Sequence, residues 1–422
     1  MTLLSGTDAN GRRRVVVTGL GAITPVGNDA PTTWESLIAG RSGIGRLTLL
    51  DGSKFDADVG AEVKGFEPRG VSPKEARRMD RYALFGVAAA LEALADAGFP
   101  EGVALGDSAG VVFGCGSGGF MLIEEQSRLL REGGPRRVSP FLLTNMLPDA
   151  VSGNIAILTG ATGPNMAVVA ACATGAAAIG EAAEVIRRGD AEVMVAGGAE
   201  APFSEIVYSA FAAMRAIGIS EPVEESCRPF DRRRNGFVVA EGAGAVVLES
   251  LEHALARGAR IRAELAGYGS SNDAFDMVAS EDSGRGPVLA MQMALRKAAV
   301  PPGAVGYINA HGTGTPLNDR VETAAIKRVF GEHARSLAVS STKSVTGHMM
   351  GAAGAVEALV TVLALERQLL PPTMHYAVPD PDCDLDYVPN AARPVSGLEY
   401  ALSTSIGLGG HNAALLFRRW EA

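Results

Sequence analysis

The sequence predicts an α/β protein folded as one compact body. Runs of β-branched residues that read as strands alternate with helical stretches along the chain. No Ser/Pro/Gly-rich linker divides the 422 residues, although that length could hold about three ordinary domains. Two segments also share one plan. Ala167-VVAACATGAAAIGEAAEVI and Leu337-AVSSTKSVTGHMMGAAGAVEALVTVL each read as a strand, a polar turn and a helix of small residues. Shared Ala/Gly composition and internal duplication into two half-domains are both compatible with that likeness.

Taken in order, residues 1–12 read as a flexible leader, and Arg14–Thr18 (RVVVT) as a buried strand. A long helix is predicted over Pro73–Ala97. Ser72 and Glu75 form a capping-box pattern, Pro73 suits the first helical position and Gly98 the residue past the end. Further strands are expected at Ala109–Phe113, Ala167–Ala171, Val193–Ala196, Phe237–Glu249, Arg262–Gly267, Val305–Asn309, Leu337–Ser340 and Ala413–Phe417. Gly19-Leu-Gly21 reads as a tight strand-to-loop turn. It lacks the third glycine of a dinucleotide fingerprint, because position 24 is Thr24.

Composition narrows the function. With 38 Lys+Arg against 47 Asp+Glu the net charge is −9, which excludes a chain built to coat nucleic acid but leaves room for a local basic patch. The 52 glycines carry no Gly-X-Y period and suggest tight turns and backbone packed on backbone. No signal-peptide h-region or membrane-length apolar run is seen. Cys115, Cys172, Cys227 and Cys383 have neither CxxC nor zinc-site spacing. They read as reduced thiols of a cytoplasmic protein with no bound metal.

Three residues stand where a strand gives way to a turn. Cys172 precedes a helix start, whose dipole and free N–H groups favour a thiolate and lower the thiol pKa. His311 opens HGTGTPLND after a strand, and His348 lies in KSVTGHMMGAAGA. His253, His333 and His375 fall in contexts that suggest local structural work. One thiol and two imidazoles are parts for thioester chemistry: an acyl acceptor, and donors to a carbonyl or enolate. A glycine loop such as Gly407–Gly410 offers N–H groups to an oxyanion.

These motifs together resemble the elongating β-ketoacyl-acyl-carrier-protein synthases of the Cys–His–His type. The resemblance runs from VVVTGLGAITPVG to GLGGHNAALLF and rests on ACATG, RPFDxxRxGFVxxEGAG from Arg228, HGTGTPLND, KSVTGHMMGAAG and GLGGHN. It implies a thiolase-like fold of two pseudo-symmetric βαβαβαββ halves in five α-β-α-β-α layers, here 13–259 and 260–422.

By resemblance, Cys172 takes the acyl chain, and His311 and His348 bind the malonyl thioester and stabilise the enolate. Lys343 orders the site and pairs with Glu357. The N–H groups of Cys172 and Leu408 form the oxyanion hole, and Thr313 and Thr315 contact the phosphopantetheine arm. No cofactor is implied beyond the substrates' carrier-borne pantetheine. Acyl carrier protein is the implied partner, meeting Lys74, Arg77, Arg78, Arg136, Arg137 and Arg215. The implied assembly is a homodimer, or a heterodimer with a chain-length-factor-like subunit, paired through the strand Ala167–Ala171.

The closing loop departs from the family pattern, with Leu408 and Ile406 where phenylalanines are usual. Ser117 is small where many relatives have a bulky acyl-pocket residue. Fatty-acid and type II polyketide elongation therefore both fit. A thiolase would need a second cysteine in GLGGHN, a coenzyme-A-primed synthase would have Asn at His348, and a non-catalytic partner subunit would lack Cys172.

Overall fold

The computed structural model describes residues 6–8 and 10–421. Its strands are β1 (Val15–Ile23), β2 (Ala109–Gly114), β3 (Asn165–Met166), β4 (Val193–Glu200), β5 (Gly242–Ser250), β6 (Ala263–Asn272), β7 (Val305–Asn309), β8 (Ala338–Ser340), β9 (Leu369–Leu370), β10 (Arg393–Pro394), β11 (Tyr400–Gly407) and β12 (His411–Arg419). Ten of them line up as β3-β2-β4-β5-β1-β6-β12-β11-β7-β8, while β9 and β10 pair separately.

Followed inward from its two ends, this ladder repeats itself. β3-β2-β4 and β8-β7-β11 are parallel, and β4-β5-β1 and β11-β12-β6 are antiparallel. Among the described residues, the strands of the two sets of five pair across the centre at Val16–Glu264 and Val17–Ala263. A buried ion pair, Arg14–Glu264 at 2.7 Å, sits at that seam. Helices Thr174–Arg188 and Ala353–Arg367 follow β3 and β8, pack on each other and touch strands of both sets. Helix Arg81–Asp96 covers β1, β4 and β5, and helix Arg285–Ala298 covers β6, β11 and β12. The result is five α-β-α-β-α layers in two pseudo-symmetric halves, as the resemblance implies.

Small residues make those layers possible. A Cβ on Gly175 would lie 2.6 Å from Ala355 N, and one on Gly354 would lie 2.8 Å from Ala176 N, so the central helices touch backbone to backbone. The outer layers repeat the device. Gly19 and Gly21 of β1 lie against the carbonyls of Ala93 and Ala89, as Gly267 and Gly269 of β6 lie against those of Ala294 and Ala290. The Gly19–Gly21 segment is therefore not a turn. It is mid-strand, and its glycines seat a helix.

Other expectations are corrected too. The helix over Pro73–Ala97 is two helices, Pro73–Ala76 and Arg81–Asp96. The capping box at Ser72 and Glu75 forms, but Asp80 is extended and starts the chain afresh, its buried carboxylate accepting from Leu122 N. Ala167–Ala171 is not a strand. β3 stops at Met166 on the sheet edge, and Val169 is 54% exposed. Part of the leader, residues 1–5 and 9, lies outside the described residues. The rest is tied down: Arg12 pairs with Asp8 and donates to Lys297 O. Among the described residues no helix is long and apolar enough to cross a membrane.

Candidate active site

Cys172 sits at a sharp elbow. Past β3 the chain reaches Ala171 in the left-handed region (φ 47°), and Cys172 then occupies a short 3-10 turn ahead of the helix Thr174–Arg188. Thr174 Oγ1 closes the elbow by accepting from Ala170 N at 2.8 Å. Cys115, Cys227 and Cys383 are buried, whereas Cys172 is partly open. It packs against an apolar cluster of Leu47, Phe203, Tyr208, Val239 and Met350, against which Phe237 also packs. The backbone N–H of Leu408 donates to its sulfur. A donor at that point can meet an oxyanion formed on a carbon bonded to the same sulfur.

The expected lowering of the thiol pKa does not hold in the resting site. Desolvation pushes the thiol up to about 11, outweighing the Lys343 charge and the Leu408 N–H, which act the other way. Only the thiolate is a strong nucleophile, so alkylation of Cys172 should accelerate about ten-fold per pH unit across the neutral and mildly alkaline range. Stopped alkylation followed by mass spectrometry checks this; a plateau already at neutral pH would contradict it.

The two histidines are held by their main chains. Past β7, the N–H groups of His311 and Gly312 each donate to Glu322 at 2.8 Å, and the Thr404 hydroxyl donates to the same carboxylate. Burial pushes that carboxyl up to about 7. His348 donates its N–H to Val238 O at 2.7 Å and accepts from Ala240 N at 2.9 Å. These contacts explain why the expected strand Phe237–Glu249 joins the sheet only at Gly242: its first residues are diverted to hold His348.

The imidazole rings lie 5.3 Å apart at 84°, and Phe237 stands edge-on to His348 at 5.4 Å. Lys343 is buried, forms an ion pair with Glu357, and brings Nζ to 3.4 Å from His311 Nδ1. Burial, then the Lys343 charge, holds both imidazoles well below their usual pKa, so both are neutral. An ammonium can only donate, so His311 Nδ1 accepts and its proton sits on Nε2. The same Lys343 charge acts on Cys172, so thiol, lysine and both imidazoles share one electrostatic site.

Residues 12–254 match the family model described as the β-ketoacyl synthase N-terminal domain, and residues 262–377 match that of the C-terminal domain. The chain belongs to the β-ketoacyl synthase family. It is 46% identical over 411 residues to a 3-oxoacyl-[acyl-carrier-protein] synthase 2 of Staphylococcus aureus strain COL, covering 97% of this chain and 99% of that one. Among solved structures it resembles a type II polyketide ketosynthase in complex with its acyl-carrier protein and bound to the hexaketide. That match has TM-score 0.90 and 34% identity, and covers 97% of this chain and all of the other. The ishigamide ketosynthase/chain length factor matches at TM-score 0.90 and 35% identity, with the same coverage.

Around this centre of the synthase, the Thr313 and Thr315 hydroxyls lie 2.9 Å apart, hydrogen-bonded to each other. Ile406 is buried, and Leu408 is exposed next to the sulfur. Ser117 is bonded to Glu200. Lys74, Arg77, Arg78, Arg136, Arg137 and Arg215 are all exposed. The Arg78 guanidinium lies 4.9 Å from the Phe141 ring, which draws the Pro73 helix and the segment after Arg137 together. His253 bonds to Glu249 and His333 to Val305 O, in keeping with local roles.

Three residues beside the site were not singled out from sequence: Glu322, Phe237 and Glu200. Phe237 lies inside the RPFDxxRxGFV motif, and Glu322 lies one helical turn past HGTGTPLND. Glu200 had no signal beyond being an acid at the end of an apolar strand.

Proposed function

We propose that the synthase catalyses the decarboxylative Claisen condensation of malonyl-acyl-carrier-protein with an acyl chain carried on Cys172. The observation that carries this reading is the partly open Cys172, with the Leu408 N–H at its sulfur, sharing the Lys343 charge with two buried neutral imidazoles. Cys172 sulfur attacks the acyl thioester and releases the pantetheine thiol, while the N–H groups of Cys172 and Leu408 hold the oxyanion. Malonyl thioester then binds with its carbonyl oxygen towards His311 Nε2–H and His348. Breaking the bond to the carboxylate releases CO₂ and leaves the electron pair as an enolate. The enolate carbon attacks the Cys172 thioester, the C–S bond breaks, and the β-ketoacyl chain leaves on the carrier. Thr313 and Thr315 hydrogen-bond the pantetheine arm, and Ser117, Ile406 and Leu408 bound the acyl chain.

Acyl carrier protein docks on the exposed basic residues Lys74, Arg77, Arg78, Arg136, Arg137 and Arg215. Reversing the charge of Arg136 and Arg137 together should raise KM for carrier-borne substrate about ten-fold and spare small thioesters. Steady-state kinetics with both substrate types checks this, and equal loss on both would point to misfolding.

The chain works as two halves, 13–259 and 260–422, in a cytoplasmic dimer. A second copy or a chain-length-factor-like subunit covers the β3 edge, where Ile157, Met166 and Val169 are exposed. Condensation by the purified chain alone supports the homodimer. Condensation only after such a subunit is added supports the heterodimer, and no condensation with either overturns the reading.

A further inference from the structure

β4 ends at Glu200, a fully buried carboxylate that no step of the proposed reaction uses. It accepts five hydrogen bonds. Oε1 takes Cys115 Sγ–H at 3.2 Å, Ser117 N at 3.1 Å and the Ser117 hydroxyl. Oε2 takes Gly116 N and Gly351 N, each at 2.9 Å. Four of these donors belong to the turn after β2. The fifth is the middle residue of the 3-10 turn Met350–Ala352, which carries the chain from His348 into the helix Ala353–Arg367.

Both elbows of the pseudo-symmetric fold come together at this carboxylate. Ala171 (φ 47°) and Met350 (φ 45°) make the same left-handed step in their respective halves. A Cβ on Gly116 would lie 2.6 Å from Glu200 Oε2 and 3.5 Å from both Ala171 O and Gly351 N. The Glu200 charge also reaches Cys172, where it opposes thiolate formation. A buried carboxylate is costly, and an apolar side chain could fill this space but could not fix two turns at once. Ser117 is thus more than a small residue in a pocket wall: its hydroxyl and N–H are both spent on Glu200.

We propose that Glu200 is the positioning residue of the acyl pocket, holding Gly116 and Ser117 against the Cys172 elbow and Gly351 at the foot of the His348 arm, and so setting which acyl chains Cys172 accepts. This rests on the reaction proposed above.

The test measures acylation of Cys172 by acyl carrier proteins of graded chain length, using intact-protein mass spectrometry with site mapping. It is paired with the pH profile of Cys172 alkylation. In folded Glu200→Gln, the rate ratio between the best donor and one two carbons longer should change about ten-fold. The alkylation profile should move to lower pH, because a negative charge near the sulfur is gone. Glu200→Asp keeps the charge but shortens the reach, so it should keep the pH profile and alter the chain-length ratio. Should Glu200→Gln fail to fold, Ser117→Ala removes one donor and leaves four, and a smaller change in the same ratio is expected. An unchanged ratio in any folded Glu200 variant, or in Ser117→Ala, overturns the proposal. Acylation away from Cys172 in the parent protein overturns the underlying reaction instead, and is visible before any variant is made.

Discussion

His311→Ala and His348→Ala will each lower malonyl decarboxylation and condensation by about 10²- to 10⁴-fold, the usual range for losing a positioned acid–base group, while Cys172 still becomes acylated in part. Burial and the Lys343 charge keep both imidazoles neutral, so they hydrogen-bond a carbonyl or enolate oxygen without releasing a proton first. Neither is hydrogen-bonded to Cys172, whose sulfur takes its donor from Leu408. Both side chains are enclosed, and their positions rest on main-chain bonds to Glu322, Val238 and Ala240, which an alanine retains. The loss should therefore be chemical rather than structural. CO₂ release from malonyl carrier protein, measured beside intact-mass acylation, separates the two steps. Parent-rate CO₂ release by either variant would remove that histidine from the mechanism.

Lys343→Met should have the largest effect on stability as well as activity. The Lys343–Glu357 pair is enclosed on all sides, and Glu357 Oε2 has no hydrogen-bond partner among the described residues. Removing the cation leaves Glu357 alone in a site where burial already raises its pKa, a change that typically costs about 3–5 kcal/mol. The Cys172 thiol, up at about 11 with Lys343 present, should rise further without it, so alkylation at any fixed pH below that value slows. The double variant Lys343→Met, Glu357→Leu should regain most of the melting temperature and none of the condensation. Thermal melts and timed alkylation of both variants check the two claims. Full activity in the double variant would show that the pair is structural only.

How much of this was legible in the sequence depended on what each residue answers to. Cys172, His311 and His348 sit in strand-to-helix turns, which local pattern reveals, and the strands Val305–Asn309 and Ala338–Ser340 are short apolar runs with clear ends. β11 was missed because Ser403, Thr404 and Ser405 interrupt its apolar run, although all three are buried. The Gly19–Gly21 segment was misread because the carbonyls of Ala89 and Ala93, far along the chain, are what require glycine there. The thiol pKa was misjudged for a similar reason. A helix terminus is a local feature, but the apolar cluster against which Cys172 packs, which includes Phe203, Val239 and Met350, is assembled by the fold. Glu200 was invisible for the same cause, since its hydrogen-bond donors come from turns distant in sequence; Glu322 is tied to the distant Thr404 as well as to the nearby His311 and Gly312.

The central claim is that the acyl chain passes through Cys172. It is tested most directly by incubating the purified protein with an acyl-acyl-carrier-protein and no malonyl donor, then mapping the acyl group by peptide mass spectrometry. Cys172 is the one partly open thiol, with an N–H donor at its sulfur, while Cys115, Cys227 and Cys383 are buried. The account predicts a single acyl thioester, on Cys172, that is lost when malonyl carrier protein is added. An acyl group on Cys115, Cys227 or Cys383 with Cys172 unmodified would contradict it.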